Sequence, residues 1–248
     1  MKKLVALLVA LMVLTLSFAA VAEAEKLVVY TSADFPPFEY IDDNNAFAGF
    51  DIDMMSEIAK VAGYEVEFVN IAFDSIIAGV QSGACNVGLS GFTVNEERKV
   101  NVDFSTPYYQ TTQACFALEG STITDAASLM GKSIGVQMGT TGMFTAEGVT
   151  DADKVMSYTK IIDAFMDLKG GKLDAVIIDQ MVGRNNVTAM PQAGITELAI
   201  AFEAEDYAIC VQKGQTALLE KLDAAIEELK TNGTMQELLV KHQLIAAE

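Results

Sequence analysis

The sequence predicts an α/β protein folded as two similar lobes, each built on a mostly parallel sheet flanked by helices. Three observations carry that prediction. Short apolar runs alternate with helix-period segments along the chain. One strand–helix unit recurs 88 residues further on. The chain has 248 residues, 51% of them hydrophobic, enough for one large domain or two lobes of about 100 residues each.

Residues 1–24 read as an address. Met1-Lys2-Lys3 is a basic start, Leu4 to Ala20 is a nearly unbroken apolar run, and Ala20-Val21-Ala22 and Ala22-Glu23-Ala24 are small-residue exits. That order is the pattern of a cleavable secretory signal peptide. The rival reading is a membrane anchor, but the run sits at the short end of the roughly 17–25 residues that span a bilayer. No cysteine stands near the exit to accept a lipid, so the expected location is a periplasm.

The elements follow in order. Leu27-Val28-Val29-Tyr30 forms a short buried strand, ended by turn-forming residues from Ser32 to Pro37. Asp51 is placed to cap a helix whose apolar face is Ile52, Met55, Ile58, Ala59 and Ala62, with Gly63 to stop it. Tyr64, Val66 and Phe68 alternate with Glu65 and Glu67, a strand with one wet face. A helix over 75–81 then leads through Ser82-Gly83 into a strand over 86–90.

The echo of this last unit is Ala164, Phe165, Leu168, Gly171, Asp174, Ala175 and Ile177, matching Ile76, Ile77, Val80, Gly83, Asn86, Val87 and Leu89. Its spacing is too long for a solenoid, and two similar lobes explain it. The segment 132–137 opens the second lobe as 26–30 opens the first. The chain closes with two amphipathic helices. One carries the stripe Leu218, Leu222, Ala225, Ile226 and Leu229 and stops at Gly233; the other starts at Thr234-Met235-Gln236-Glu237, a capping-box pattern.

Composition narrows the chemistry. Lys+Arg number 16 against 34 Asp+Glu, a net charge of -18, which repels phosphate backbones and anionic headgroups; nucleic acid is not an expected partner. His242 is the single histidine, so neither a His-rich metal site nor a His-based triad is expected. Cys85, Cys115 and Cys210 are odd in number, have apolar neighbours, and read as buried thiols. No cofactor and no metal are expected.

The remaining candidates lie at strand ends, where ligands of open α/β sheets bind. The run from Ser90-Gly91 through Thr93 to Arg98 leaves a strand and enters a helix capped by Asn95. Arg98 either clamps a carboxylate bidentately or lies exposed beside Glu96, Glu97 or Asp103. Met138-Gly139-Thr140-Thr141-Gly142 is a second corner suited to an anion, with no Walker lysine. Asp179 ends the apolar strand 175–178 and either holds an ammonium or caps the next helix. Phe35 and Phe73 are aromatic faces that either flank a side chain or pack a core. An arginine, backbone donors, an aspartate and aromatic faces together describe a site for a free α-amino acid. Both charges of a zwitterion need partners once it leaves water.

The chain resembles family 3 of the extracellular solute-binding proteins, the polar amino acid receptors of ABC importers. The resemblance rests on Gly49-Phe50-Asp51-Ile52-Asp53-Met54 with Ile58, Ala59 and Ala62. It extends to Phe35-Pro36-Pro37-Phe38-Glu39-Tyr40, to Glu97-Arg98-Lys99 followed by Val102-Asp103-Phe104-Ser105 and Pro107-Tyr108, and to Leu173-Asp174-Ala175-Val176. It implies a two-lobed type II periplasmic-binding fold. The first lobe would comprise 25–107 and 208–248, the second 113–202, and two hinge strands would run at 108–112 and 203–207. It further implies that Arg98 grips the ligand carboxylate with the Thr93 and Thr141 backbones. Asp179, the Thr93 hydroxyl and the Ser90/Gly91 turn would bind the ammonium, Phe35 and Phe73 would flank the side chain, and Ser32, Gln137 and Ile178 would tune specificity.

Relatives for basic amino acids resemble one another in an acidic group where Ser32 stands, so a neutral side chain is expected here, with Asp34 the residue most able to overturn that. Asn86 in place of a usual aspartate and His242 in place of a common tryptophan look structural. The expected partners are a free amino acid and, transiently, permease subunits, with the protein a monomer. The competing function is an enzyme on the same scaffold, such as a cyclohexadienyl (arogenate or prephenate) dehydratase, with Asp34 or Glu39 as its acid.

Overall fold

The structure, a computed structural model, describes residues 25–246; the expected signal peptide lies outside the described residues. The first sheet has the order β5-β1-β6-β14-β7, formed by β1 (Glu25–Thr31), β5 (Tyr64–Asn70), β6 (Val87–Gly88), β7 (Val102–Phe104) and β14 (Cys210–Gln212). The strands β5, β1 and β6 run parallel, while β14 is antiparallel to both β6 and β7. The second sheet repeats the plan as β10-β9-β11-β8-β12, with β9 (Ile134–Gln137) parallel to β10 (Val155–Tyr158) and β11 (Ala175–Asp179). β8 (Tyr109–Leu118) is antiparallel to β11 and to β12 (Ile195–Glu197). Each sheet therefore has a parallel core and antiparallel strands on one side. β8 and β13 (Ala204–Tyr207) cross between the lobes as an antiparallel pair, from Ala204↔Thr112 to Tyr207↔Tyr109. A small meander, β2 (Asp34–Phe35), β3 (Glu39–Ile41) and β4 (Phe47–Ala48), sits beside the first sheet.

The sequence echo has a physical cause. Asn86 Oδ1 accepts from Val28 N–H at 2.8 Å, and Asn86 N–H returns a bond to Val28 O at 2.9 Å. In the second lobe Asp174 Oδ2 accepts from Ser133 N–H at 2.8 Å and Asp174 N–H donates to Ser133 O at 2.9 Å. Each copy thus uses one side-chain oxygen to splice an incoming strand to the start of the central one. An acceptor oxygen is all that is needed, so asparagine serves where an aspartate is usual.

Helices bury apolar faces against these sheets, among them α1 (Phe50–Ala62) and α2 (Phe73–Ser82). The short α3 (Glu96–Asn101) buries only Arg98, and α4 (Thr141–Val149), α5 (Ile161–Lys169) and α6 (Gln180–Ala189) pack on the second sheet. Gly63 and Gly83 end α1 and α2 in the left-handed region that glycine enters without strain, at φ 80° and 73°. Two expected caps are corrected. Gly49 occupies the cap of α1, and Asp51 lies inside the first turn, fully buried. At the C-terminus, α7 (Thr216–Thr231) is followed by α8 (Thr234–Lys241), whose cap position is Gly233 with no side-chain bond, so the capping box does not form. Asn232 Oδ1 accepts from Thr234 N–H at 2.9 Å instead. The three cysteines are free and buried. His242 Nε2 lies 2.7 Å from Asp53 Oδ2 and meets Phe50 edge-on, so it pins the last helix to α1.

Candidate functional site

Arg98 is 5% exposed, on the short helix α3 that Asn95 caps by accepting from Arg98 N–H at 2.8 Å. The exposed alternative is excluded, since Glu96 pairs with Lys99 and Asp103 with Lys213. The guanidinium lies 5.5 Å from the Phe73 ring centre and 5.2 Å from that of Phe92, and the two rings stack at 4.6 Å. Its Nη1 donates to Thr93 O at 2.9 Å, and its Nη2 reaches across to Gly139 O of the second lobe at 3.1 Å. Burial lowers its pKa, a sign that an anion beside it would be stabilising.

Asp179 is the counterpart on the second lobe, at the end of β11 and 1% exposed. The helix-cap reading holds, and the second oxygen takes further donors. Oδ1 accepts from Met181 and Val182 N–H at 2.9 and 3.2 Å, capping α6, while Oδ2 accepts from Tyr207 O–H at 2.8 Å and from Thr111 O–H. Burial pushes its carboxyl above the usual value, against the hydrogen bonds from Thr111 and Tyr207. Burial also raises the Tyr207 phenol well above its own range, so it stays a donor.

Arg98 and Asp179 line one narrow gap together with Phe35, Phe73, Gly91, Thr93, Thr141 and Ile178. Eight of the sequence-derived residues thus converge on one gap between the lobes. Three stand outside that lining. Ser90 lies beneath it, Ser32 lines an adjoining hollow with Asp34, Asn70, Thr159 and Lys160, and Gln137 borders Asp34. The sequence reading missed Gln113 and Tyr207, which also line the cavity, and singled out Thr140 only as part of the corner 138–142. Thr140 caps α4, accepting from Met143 N–H at 3.2 Å. Gln113 and Tyr207 sit on crossing strands, where no local motif marks them.

Gly91 shows why the turn is tight. Its φ is +53°, and a Cβ there would lie 2.9 Å from Tyr207 Cε2 and 3.2 Å from Phe35 Cε1. We expect Gly91→Ala to cost about 1–3 kcal/mol of stability in urea titration, as overpacking does.

Beneath the turn lies a buried acid pair. Ser90 O–H donates to Glu39 Oε1 at 2.6 Å, and Gly91 N–H and Tyr108 O–H donate to Asp51 Oδ2 at 3.0 and 2.9 Å. The other oxygens, Glu39 Oε2 and Asp51 Oδ1, have no partner among the described residues; a proton shared between the carboxyls would satisfy both. Burial, then the Asp51 charge, raises Glu39 well above the carboxylate range, and burial moves Asp51 to about 6. Folded values above unfolded ones give stability that is full below the unfolded pKa and lost as pH rises through the folded one. The melting temperature should therefore fall from about pH 5 to pH 8 more steeply in the wild type than in Glu39→Gln. Equal slopes would show that no such proton is held.

Two lobes on crossing strands, closing on a gap with a cation on one side and an anion on the other, define a solute-binding protein rather than a fold with a preformed surface groove. The chain belongs to the bacterial extracellular solute-binding proteins, family 3, whose model matches residues 27–244. It is 35% identical over 241 residues to the ABC transporter arginine-binding protein 1 of Escherichia coli (strain K12), covering 96% of this chain and 97% of the relative. Two solved structures of an ancestral arginine-binding protein, one bound to glutamine and one to arginine, each share 40% identity at a TM-score of 0.84. They cover 89% and 88% of this chain and 98% and 97% of theirs.

Proposed function

We propose that this chain is the receptor of an ABC amino acid importer, holding one free amino acid between its lobes outside the cytoplasmic membrane and delivering it to permease subunits. The observation that carries this reading is the shared cavity of Arg98 and Asp179. Arg98, with the first-turn N–H groups of α4 that have no intrahelical partner, would take the α-carboxylate. Asp179 and Thr93 would take the ammonium, with Phe35 and Phe73 beside the side chain. The crossing strands, with the hinge taken at 108–112 and 203–207, would let the lobes close, and the monomer would be the working form. Binding without catalysis is favoured because Glu39 is fully buried under Ser90 rather than facing the cavity.

The side chain we infer is cationic, in place of the neutral one expected from Ser32. Ser32 O–H donates to Asp34 Oδ1 at 2.9 Å, and Gln137 Nε2 lies 3.5 Å from the same oxygen. Two specificity positions thus converge on one carboxylate. Gln137 Nε2 is also 3.3 Å from Thr159 O, and its Oε1 has no partner among the described residues, which leaves acceptors where a cation would end. The names of the arginine-binding relatives agree with this chemistry.

Isothermal titration against the twenty amino acids tests the reading. Basic amino acids should bind near the micromolar range, about −8 kcal/mol; heat from none of the twenty would remove it. Asp34→Asn should weaken L-arginine at least tenfold while leaving L-glutamine, where it binds at all, within about threefold.

A further inference from the structure

Among the described residues, Glu205 is the carboxylate that ties the two lobes together through the threonines of the cavity. It stands on β13, opposite Thr111 of β8, and lines an outer groove rather than the cavity itself. Its Oε2 lies 2.6 Å from Thr93 Oγ1 of the first lobe and 2.8 Å from Thr141 Oγ1 of the second. Gln113 Nε2, from the crossing strand, is 3.3 Å from the same oxygen and 3.2 Å from Thr141 Oγ1. The two threonine oxygens are 3.4 Å apart.

The direction of these bonds follows from the groups. A carboxylate oxygen accepts, and a threonine hydroxyl has a single proton. Both hydroxyl protons are therefore spent on Glu205, outside the cavity. What Thr93 and Thr141 present to the cavity they line is lone pairs, and Gln113 already donates to one of those on Thr141. Such an edge attracts a donor and repels an acceptor.

We propose that Glu205 is a positioning residue for ligand selection: by fixing both hydroxyls as acceptors it makes this side of the site specific for an α-ammonium and leaves the α-carboxylate to Arg98 and the backbone. It acts without touching the ligand. The assignment rests on the amino acid reading above and deepens it. Freed of Glu205, the hydroxyls can rotate and donate elsewhere, so the penalty falls on the amino group alone.

The test is a cycle between residue and ligand. L-Arginine and its desamino analogue 5-guanidinopentanoate are compared on the wild type, Glu205→Ala and Glu205→Gln, the weaker ligand by competition. Glu205→Ala should weaken L-arginine about tenfold and the desamino analogue less than twofold. Glu205→Gln, which keeps an acceptor oxygen and serves if the alanine variant does not fold, should recover part of the lost L-arginine affinity. Equal weakening of both ligands, or unchanged L-arginine binding, overturns the assignment while the receptor reading stands. If the wild type binds a different amino acid, that amino acid and its desamino analogue form the cycle. A wild type that binds none overturns both.

Discussion

Arg98→Ala should abolish amino acid binding. Truncating one partner of a buried hydrogen-bonded charge pair costs about 2–5 kcal/mol or more, much of it the penalty on the charge left behind. From a micromolar start, that moves the dissociation constant by roughly 30- to several thousand-fold, to the edge of calorimetric detection. The upper end is expected here. Arg98 holds Thr93 O and Gly139 O on opposite lobes, so its loss would remove the proposed carboxylate clamp and a bond across the cleft together. Its stem and fork also fill the space against Phe73 and Phe92. Arg98→Met, which keeps bulk there without charge, separates binding from packing and should lose the ligand while melting near the wild type. Arg98→Lys should recover little, because an ammonium does not reproduce the planar fork. Titration of each variant, with circular dichroism to verify the fold, checks the series; near-wild-type affinity in Arg98→Met would refute the clamp.

Variants of Asp179 are expected to separate its helix cap from its proposed role in holding the ammonium. Asp179→Ala removes the cap of α6, worth about 0.5–2 kcal/mol, and leaves the buried Thr111 and Tyr207 hydroxyls without their acceptor, each an added cost of about 1–3 kcal/mol. That variant should be visibly destabilised. Asp179→Asn keeps an oxygen to accept from Met181 and Val182 but removes the charge. It should stay folded and lose at least about thirtyfold in affinity, the lower end of the cost of an unpaired buried charge. Equal binding by Asp179→Asn and the wild type would place the ammonium elsewhere in the cavity that Thr93 and Gln113 also line.

Much of the fold was legible because it is written locally. The alternation of apolar runs with helical stripes, the glycines at 63 and 83, and the 88-residue echo are each set by neighbours within a few turns, and all recur in the sheets and helices observed. The two failed caps have different causes. At Asp51 tertiary contacts outrank the pattern, since Gly91 N–H and Tyr108 O–H claim the carboxylate; at Thr234 the reason is local, since Gly233 takes the cap position and Asn232 Oδ1 accepts from Thr234 N–H.

The site divides in the same way. Arg98, Asp179 and the two glycine-rich corners lie at strand ends, which α/β topology marks in advance as ligand positions. Gln113, Tyr207 and Glu205 lie on β8 and β13, crossing strands whose register is fixed by pairing between segments some 90 residues apart, and no spacing rule reaches that far. Sequence alone determined the class of fold, the candidate charges for a zwitterion and the ends of the strands that present them. Which hydroxyls donate, which carboxyls are buried side by side and which acid lies beside the specificity positions were decided only when the lobes came together. Those are properties of hydrogen-bond partners, and a partner exists only once the chain has closed upon itself.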